Sequence, residues 1–331
     1  MASAAGRIDV HFHSVPPVFR DALAALPPGS ARAPAWSPEL ALEMMDRNNI
    51  GSAIMSISTP GPHLGDDAKA CSLCRRCNEY FAELSASAPR RFGAFAAVPL
   101  PDVNGARKEI DYALDVLKLD GVGLFSNYGG KHLGDAEFDP VLALLNERAA
   151  VAFIHPTNNR CCQGVQPGVP GSLIEYLFDT TRAAVNLVLS GAMDRFPHIR
   201  FILAHAGGAL PYVAWRVSDV VWRQLSQSPV KERFPLPWIG ENAGNLSADL
   251  VLSRLRRFWY DTALSAGPQT FGSLTAVADP ERILFGSDWP YSLETMVQDS
   301  IDSLSAPGFL SAAQLAAINR DNALRLLPRL R

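Results

Sequence analysis

Five residues far apart in the chain, His11, His13, His155, His205 and Asp288, are of the types that bind divalent metals or move protons, and each stands at the end of a short apolar run. Imidazole nitrogen and carboxylate oxygen are ordinary Zn²⁺ ligands, and a catalytic ion keeps a position open for water or substrate. In "RIDVHFH" (7–13) a side-chain period of two puts His11 and His13 on one face and Phe12 on the other. Alone, such a pair is as readily hydrogen-bonded scaffolding as a metal pair. It gains weight because His155 closes "AVAFIHP", His205 falls near the end of "RFILAHA" and Asp288 closes "RILFGSD". The other histidines, His63, His132 and His198, have no such placement and are expected in loops and at the surface.

The elements that must position these residues are eight short runs, many rich in β-branched or aromatic residues: 7–13, 52–58, 92–100, 121–127, 150–156, 200–206, 258–263 and 282–288. Amphipathic stretches lie between them, such as "SPELALEMMDRNN", where Ser37 is placed as a helix N-cap and Pro38 at the first helical position. Strand and helix alternating eight times predict a (β/α)₈ TIM barrel, whose parallel strands all end at one rim. His11, His13, His155, His205 and Asp288 therefore converge there as a metal site. One domain over 1–331 is expected, with loop insertions at about 14–36, 157–171 and 226–256, all after strand ends. The final stretch, "SAAQLAAINRDNALRLL", is expected to close the outer helical layer.

Composition narrows the partners. The 331 residues are 48% hydrophobic and 19% charged, with a formal charge of −3, which suits a globular chain with a large core. Such a chain provides no basic field for nucleic acid or an anionic membrane. The N-terminus has no basic segment leading into an apolar one, and no window offers a bilayer-spanning run, so a cytoplasmic protein acting on small molecules is expected. Five cysteines argue against a disulfide framework. Cys71, Cys74 and Cys77 have the spacing of a helix face and are read as packing residues, while the adjacent Cys161 and Cys162 are read as loop residues.

"IDVHFH", "FIHP", "ILAHAGGALPYVAWR", "FWYDTA" and "ILFGSDWPYS" together resemble the amidohydrolase superfamily, in particular its aminocarboxymuconate-semialdehyde decarboxylase-like branch and the salicylate-type decarboxylases, 6-methylsalicylate decarboxylase included. The resemblance covers the chain from Arg7 to its end. It implies that His11, His13, His155 and Asp288 bind a single divalent ion, Zn²⁺ being expected and Mn²⁺ the alternative, with His205 beside it as base or orienter. Binuclear relatives carry a carbamylated lysine at the end of the fourth strand, whereas this chain has Ser126 and Asn127 there, with Lys131 further along the loop. The resemblance also implies a homodimer in which Arg216 reaches the partner's site to bind substrate carboxylate.

The leading reading is nonoxidative decarboxylation of a small aromatic or unsaturated acid, with Asp288 delivering a proton to the carbon that carries the carboxylate if its surroundings keep it protonated. The alternative is a hydrolase or hydratase of a lactone or unsaturated acid, in which His205 or Asp288 takes a proton from metal-activated water. A barrel that only binds metal is the third. An aromatic lining of Phe12, Phe19, Trp36 and Trp289 would favour decarboxylation. Phe12, Trp289 and Tyr291 adjoin ligands at the mouth, and Arg160, in the loop after His155, is placed to clamp a carboxylate.

Overall fold

The protein, represented by a computed structural model, is described over residues 6–27, 30–158, 170–220, 223 and 247–331. Its centre is one eight-stranded sheet whose neighbouring strands run parallel in chain order. The strands are β1 (Arg7–His13), β2 (Ile50–Ser56), β3 (Phe92–Ala97), β4 (Gly121–Phe125), β5 (Val151–His155), β6 (Arg200–Leu203), β7 (Trp259–Asp261) and β8 (Ile283–Leu284). Each matches one of the eight apolar runs. The last edge meets the first through the residues after β8: Val10 N donates to Phe285 O (3.0 Å), Asp288 N to His11 O (2.8 Å) and His13 N to Trp289 O (2.8 Å). A (β/α)₈ barrel results.

Helices form the outer layer as the patterning demands. Pro38–Arg47 starts at Ser37, whose side chain accepts from Leu40 N, with Pro38 in the first turn. Two expectations change. The 14–36 segment is not all loop, because Pro17–Ala24 is a helix with Phe19 and Leu23 buried beneath it. The final helical stretch also does more than complete the outer layer, since its Ala323, Leu326 and Leu327, with Leu330 just beyond it, join Ile8, Val10 and Trp259 in the barrel's inner cluster. They close the end of the barrel opposite the histidines. Most of 157–171 and of 226–256 lies outside the described residues, and the described end of the latter holds the helix Ala248–Leu255.

β1 departs from strict alternation. Asp9 pairs with Ala53 but Phe12 with Met55, so β1 takes three steps where β2 takes two, a bulge. Val10 packs inside the barrel with Phe95 and Phe153, and His11 also faces inward, its ring centroid 4.9 Å from that of Phe153. Asp9 Oδ1 accepts from His11 N and Ser287 N, each at 3.1 Å, and so fastens the bulge to the end of β8. Phe12 falls on the other face, in the large core under the helices.

Candidate metal centre

The inward-facing strand ends carry His11, His13 and His155 to the rim, and Asp288 arrives four residues beyond β8; all four are buried. One ligand atom from each lies within 4.8 Å of the others. His11 Nε2 and His13 Nε2 stand 3.2 Å apart, and Asp288 Oδ1 lies 3.3 Å from the former and 3.1 Å from the latter.

The outer ring nitrogens explain why these atoms point inward. His11 Nδ1 donates to Asp261 Oδ2 at 2.8 Å and His155 Nδ1 to the Pro156 carbonyl at 2.8 Å, while His13 Nδ1 lies 3.1 Å from Ser56 Oγ and 3.4 Å from the Ser56 carbonyl. With each Nδ1 turned to an acceptor, the Nε2 atoms face one another, the arrangement in which imidazoles can share one cation. The electrostatics agree. Burial alone would lower the pKa of His11, yet Asp261 and Asp288 push it up to about 10, so the cluster calls for positive charge at its centre. Burial lowers His13 and takes His155 well below the ordinary histidine value, leaving both neutral and ready to ligate. Three imidazoles and a carboxylate suit one divalent ion.

Asp288 differs from expectation in its charge. Burial would raise its carboxyl, but His11, with His13 and His205, holds it well below the usual range, so it rests as an anion rather than as a standing acid. His205 Nε2 lies 3.4 Å from Asp288 Oδ2. Both residues have positive φ, 54° at His205 and 61° at Asp288, a strained conformation for non-glycine residues that concentrates at functional sites. The turn after His205 stays left-handed through Ala206, Gly207 and Gly208, and a Cβ on Gly208 would run into the Leu177 backbone.

The other candidate residues divide. Phe12 packs against Trp289, with ring centroids 5.1 Å apart and the planes tilted by 33°, and both belong to the core. Phe19 is fully buried and Trp36 packs edge-on to Tyr80. The expected aromatic lining is therefore core, because the face opposite the imidazoles belongs to the helix layer. Tyr291 does reach the centre, its ring 5.3 Å from that of His13. Arg160, Cys161 and Cys162 lie outside the described residues. Arg216 is exposed at the end of the helix Leu210–Trp215. Lys131 pairs with Glu137 on the surface, and Ser126 bonds to Asp179 instead of contributing a ligand. Cys74 and Cys77 are buried free thiols, and burial raises their pKa values. His132 is not simply a surface residue, since its Nε2 lies 2.9 Å from the buried Asp179.

Asp261 was not singled out in the sequence. It holds His11 Nδ1 through one oxygen, and its other oxygen accepts from His205 N (3.0 Å) and Ala263 N (2.9 Å). Its signal was present, because it ends the seventh strand and so reaches the same rim.

The family model described as Amidohydrolase matches residues 8–329. The chain belongs to the amidohydrolase family. This amidohydrolase is 36% identical over 336 residues to a 6-methylsalicylic acid decarboxylase of Penicillium expansum, covering 98% of this chain and 97% of that one. Among solved structures, a 2,6-dihydroxybenzoate decarboxylase complexed with 2,6-dihydroxybenzoate matches with a TM-score of 0.78 and 26% identity, over 98% of this chain and 100% of that one. The fold is shared as well with a manganese-bound dihydroxybenzoic acid decarboxylase from Polaromonas sp., with a TM-score of 0.79 and 22% identity over 99% of this chain and 98% of that one.

Proposed function

We propose that this amidohydrolase is a metal-dependent decarboxylase of a hydroxybenzoate-type acid, with 6-methylsalicylate the first substrate to try. The observation that carries the reading is full-length similarity to the Penicillium enzyme together with a buried three-histidine, one-aspartate centre. The hydrolase alternative loses its ground, because the Penicillium relative and the 2,6-dihydroxybenzoate-bound structure are named for decarboxylation.

Loss of CO₂ from an aromatic carbon would leave an electron pair outside the ring's π system, so the chemistry favours protonating that carbon first. His11, His13, His155 and Asp288 would hold a divalent ion, which would supply positive charge to orient the substrate carboxylate. Asp288, an anion at rest, takes a proton that His205 passes from solvent and hands it to the ring carbon. The carbon–carboxylate bond then breaks, its electron pair restores the aromatic ring, and CO₂ departs, so the reaction consumes one proton. Tyr291 contributes a ring edge beside His13, and Arg160 stays a candidate carboxylate clamp. Zinc is the ion expected from an imidazole-rich donor set, with manganese, which the Polaromonas enzyme holds, as its rival. The test is to incubate the metal-loaded protein with a hydroxybenzoate panel and follow CO₂ release and ring absorbance. No CO₂ from any acid, with hydrolysis of lactones instead, would overturn the reading.

We read the protein as a cytoplasmic homodimer. No helix among the described residues is long and apolar enough to cross a membrane. Beside Arg216, Tyr212 is 83% and Trp215 66% exposed, an apolar face suited to a second copy. On this reading Arg216 binds carboxylate in the partner's site. Arg216→Ala is expected to raise KM about tenfold or more with metal content intact, the cost of one charge-assisted hydrogen bond. Mixed with an inactive His155→Ala protein, it should regain activity through hybrid dimers. A fully active monomer, or unchanged kinetics in Arg216→Ala, would remove the shared site.

A further inference from the structure

Beside the metal ligands lies a second polar cluster that the proposed reaction does not use. The helix Glu175–Leu189 carries Tyr176 and Asp179, one turn apart. Asp179 is fully buried. Its Oδ2 accepts from Ser126 Oγ and from Asn127 Nδ2 at 2.6 Å, and its Oδ1 lies 2.9 Å from His132 Nε2. Ser126 passes this anchoring to β5, because its Oγ accepts from Thr157 N at 3.1 Å and its own N donates to the His155 carbonyl at 2.9 Å. Thr157 Oγ1 lies 3.1 Å from Thr59 Oγ1. Tyr176, one helical turn before Asp179, has its ring centroid 6.3 Å from that of His155. The bonded path runs from Asp179 through Ser126 and Thr157 to Thr59, and Tyr176 joins it through the helical turn it shares with Asp179.

We propose that Asp179 is a positioning residue that holds Tyr176 and the Thr59–Thr157 pair as a fixed wall beside His155, against which the ring of the aromatic acid is bound and selected. The substrate class rests on the decarboxylase reading, whereas the wall itself does not. A buried carboxylate accepting several donors makes charge-assisted bonds stronger than neutral ones, and a buried chain of such bonds has few alternative arrangements. Asparagine at 179 keeps the volume but sets an NH₂ against a donor, leaving that donor unsatisfied.

The experiment is a double-mutant cycle on the metal-loaded enzyme with salicylate as probe, paired with hydrogen exchange of the 155–158 segment. Asp179→Asn and Tyr176→Phe are each expected to raise KM about tenfold, with kcat within about threefold and metal content unchanged. Because one acts through the other, the double variant should be no worse than about threefold beyond either single. Exchange at the Thr157 amide should quicken in Asp179→Asn. Independent effects that multiply to about a hundredfold, or unchanged exchange at Thr157, overturn the proposal. If Asp179→Asn does not fold, Ser126→Ala, which removes the hydroxyl linking Asp179 to Thr157 and leaves the carboxylate its Asn127 and His132 partners, takes its place in the cycle and is judged in the same way. A wild-type protein that releases no CO₂ from any acid overturns the decarboxylase reading and leaves hydrogen exchange to decide the role of Asp179.

Discussion

Asp288→Asn is expected to cut turnover by about 10²-fold or more while most of the metal stays bound, the usual contribution of a positioned acid or base. The carboxylate sits among three imidazoles, with His11 Nε2 at 3.3 Å, His13 Nε2 at 3.1 Å and His205 Nε2 at 3.4 Å. The charge of His11, with hydrogen bonds from His11, His13 and His205, outweighs the desolvation that would otherwise raise its pKa and keeps it anionic. An amide of nearly the same volume still offers an oxygen to the ion but cannot take up a proton and release it to carbon. Metal analysis alongside kcat separates the two roles. Retention of more than about a tenth of wild-type turnover would move proton delivery elsewhere, with His205 the next candidate.

The second large effect is expected from His155→Ala, which should lose the ion and all measurable CO₂ release. The protein as isolated should hold one metal equivalent per chain, and this variant should bind it more than about 10²-fold more weakly, since loss of a ligand exceeds the loss of a group that merely orients one. His155 is a cleaner choice than His11. Its Nδ1 serves only the adjacent Pro156 carbonyl, whereas removing the His11 ring also strips the buried Asp261 carboxylate of a donor and so threatens folding itself. Titration with Zn²⁺ and Mn²⁺, combined with a thermal melt of the metal-free proteins, checks both halves. Full metal content and turnover in His155→Ala would take this residue out of the coordination sphere, and two tightly held ions in the wild type would contradict a mononuclear centre.

The barrel and most of the centre could be read from the chain because both depend on local regularities. Apolar runs of strand length separated by amphipathic stretches mark the eight strands, and parallel strands in a barrel share one rim, so His11, His13 and His155 could be brought together without knowing a single distance. The same rule reaches Asp261, which ends β7, but an aspartate after three aromatics looks like a strand terminator until its partners are seen. Asp179 gave no such signal. It lies on the helix Glu175–Leu189, where a carboxylate is ordinarily solvated, and only the approach of Ser126, Asn127 and His132 makes it a buried anchor.

Phe12 and Trp289 show where one-dimensional reasoning stops. Nearness in sequence to His13 and Asp288 suggested a place at the mouth, yet the side-chain period that turns the imidazoles inward turns Phe12 into the helix layer, where Trp289 meets it. The sequence by itself determined the strand and helix order, the common rim and the donor types, because periodicity and residue chemistry are properties of neighbours along the chain. Tertiary structure alone decided that a bulge lets Val10 and His11 both face inward and which acceptor orients each imidazole. It also decided that Asp288 rests as an anion. Each of these depends on segments up to 278 positions apart, as in the clip from Asp9 to Ser287 and His11, meeting within hydrogen-bonding distance in a medium from which water is excluded.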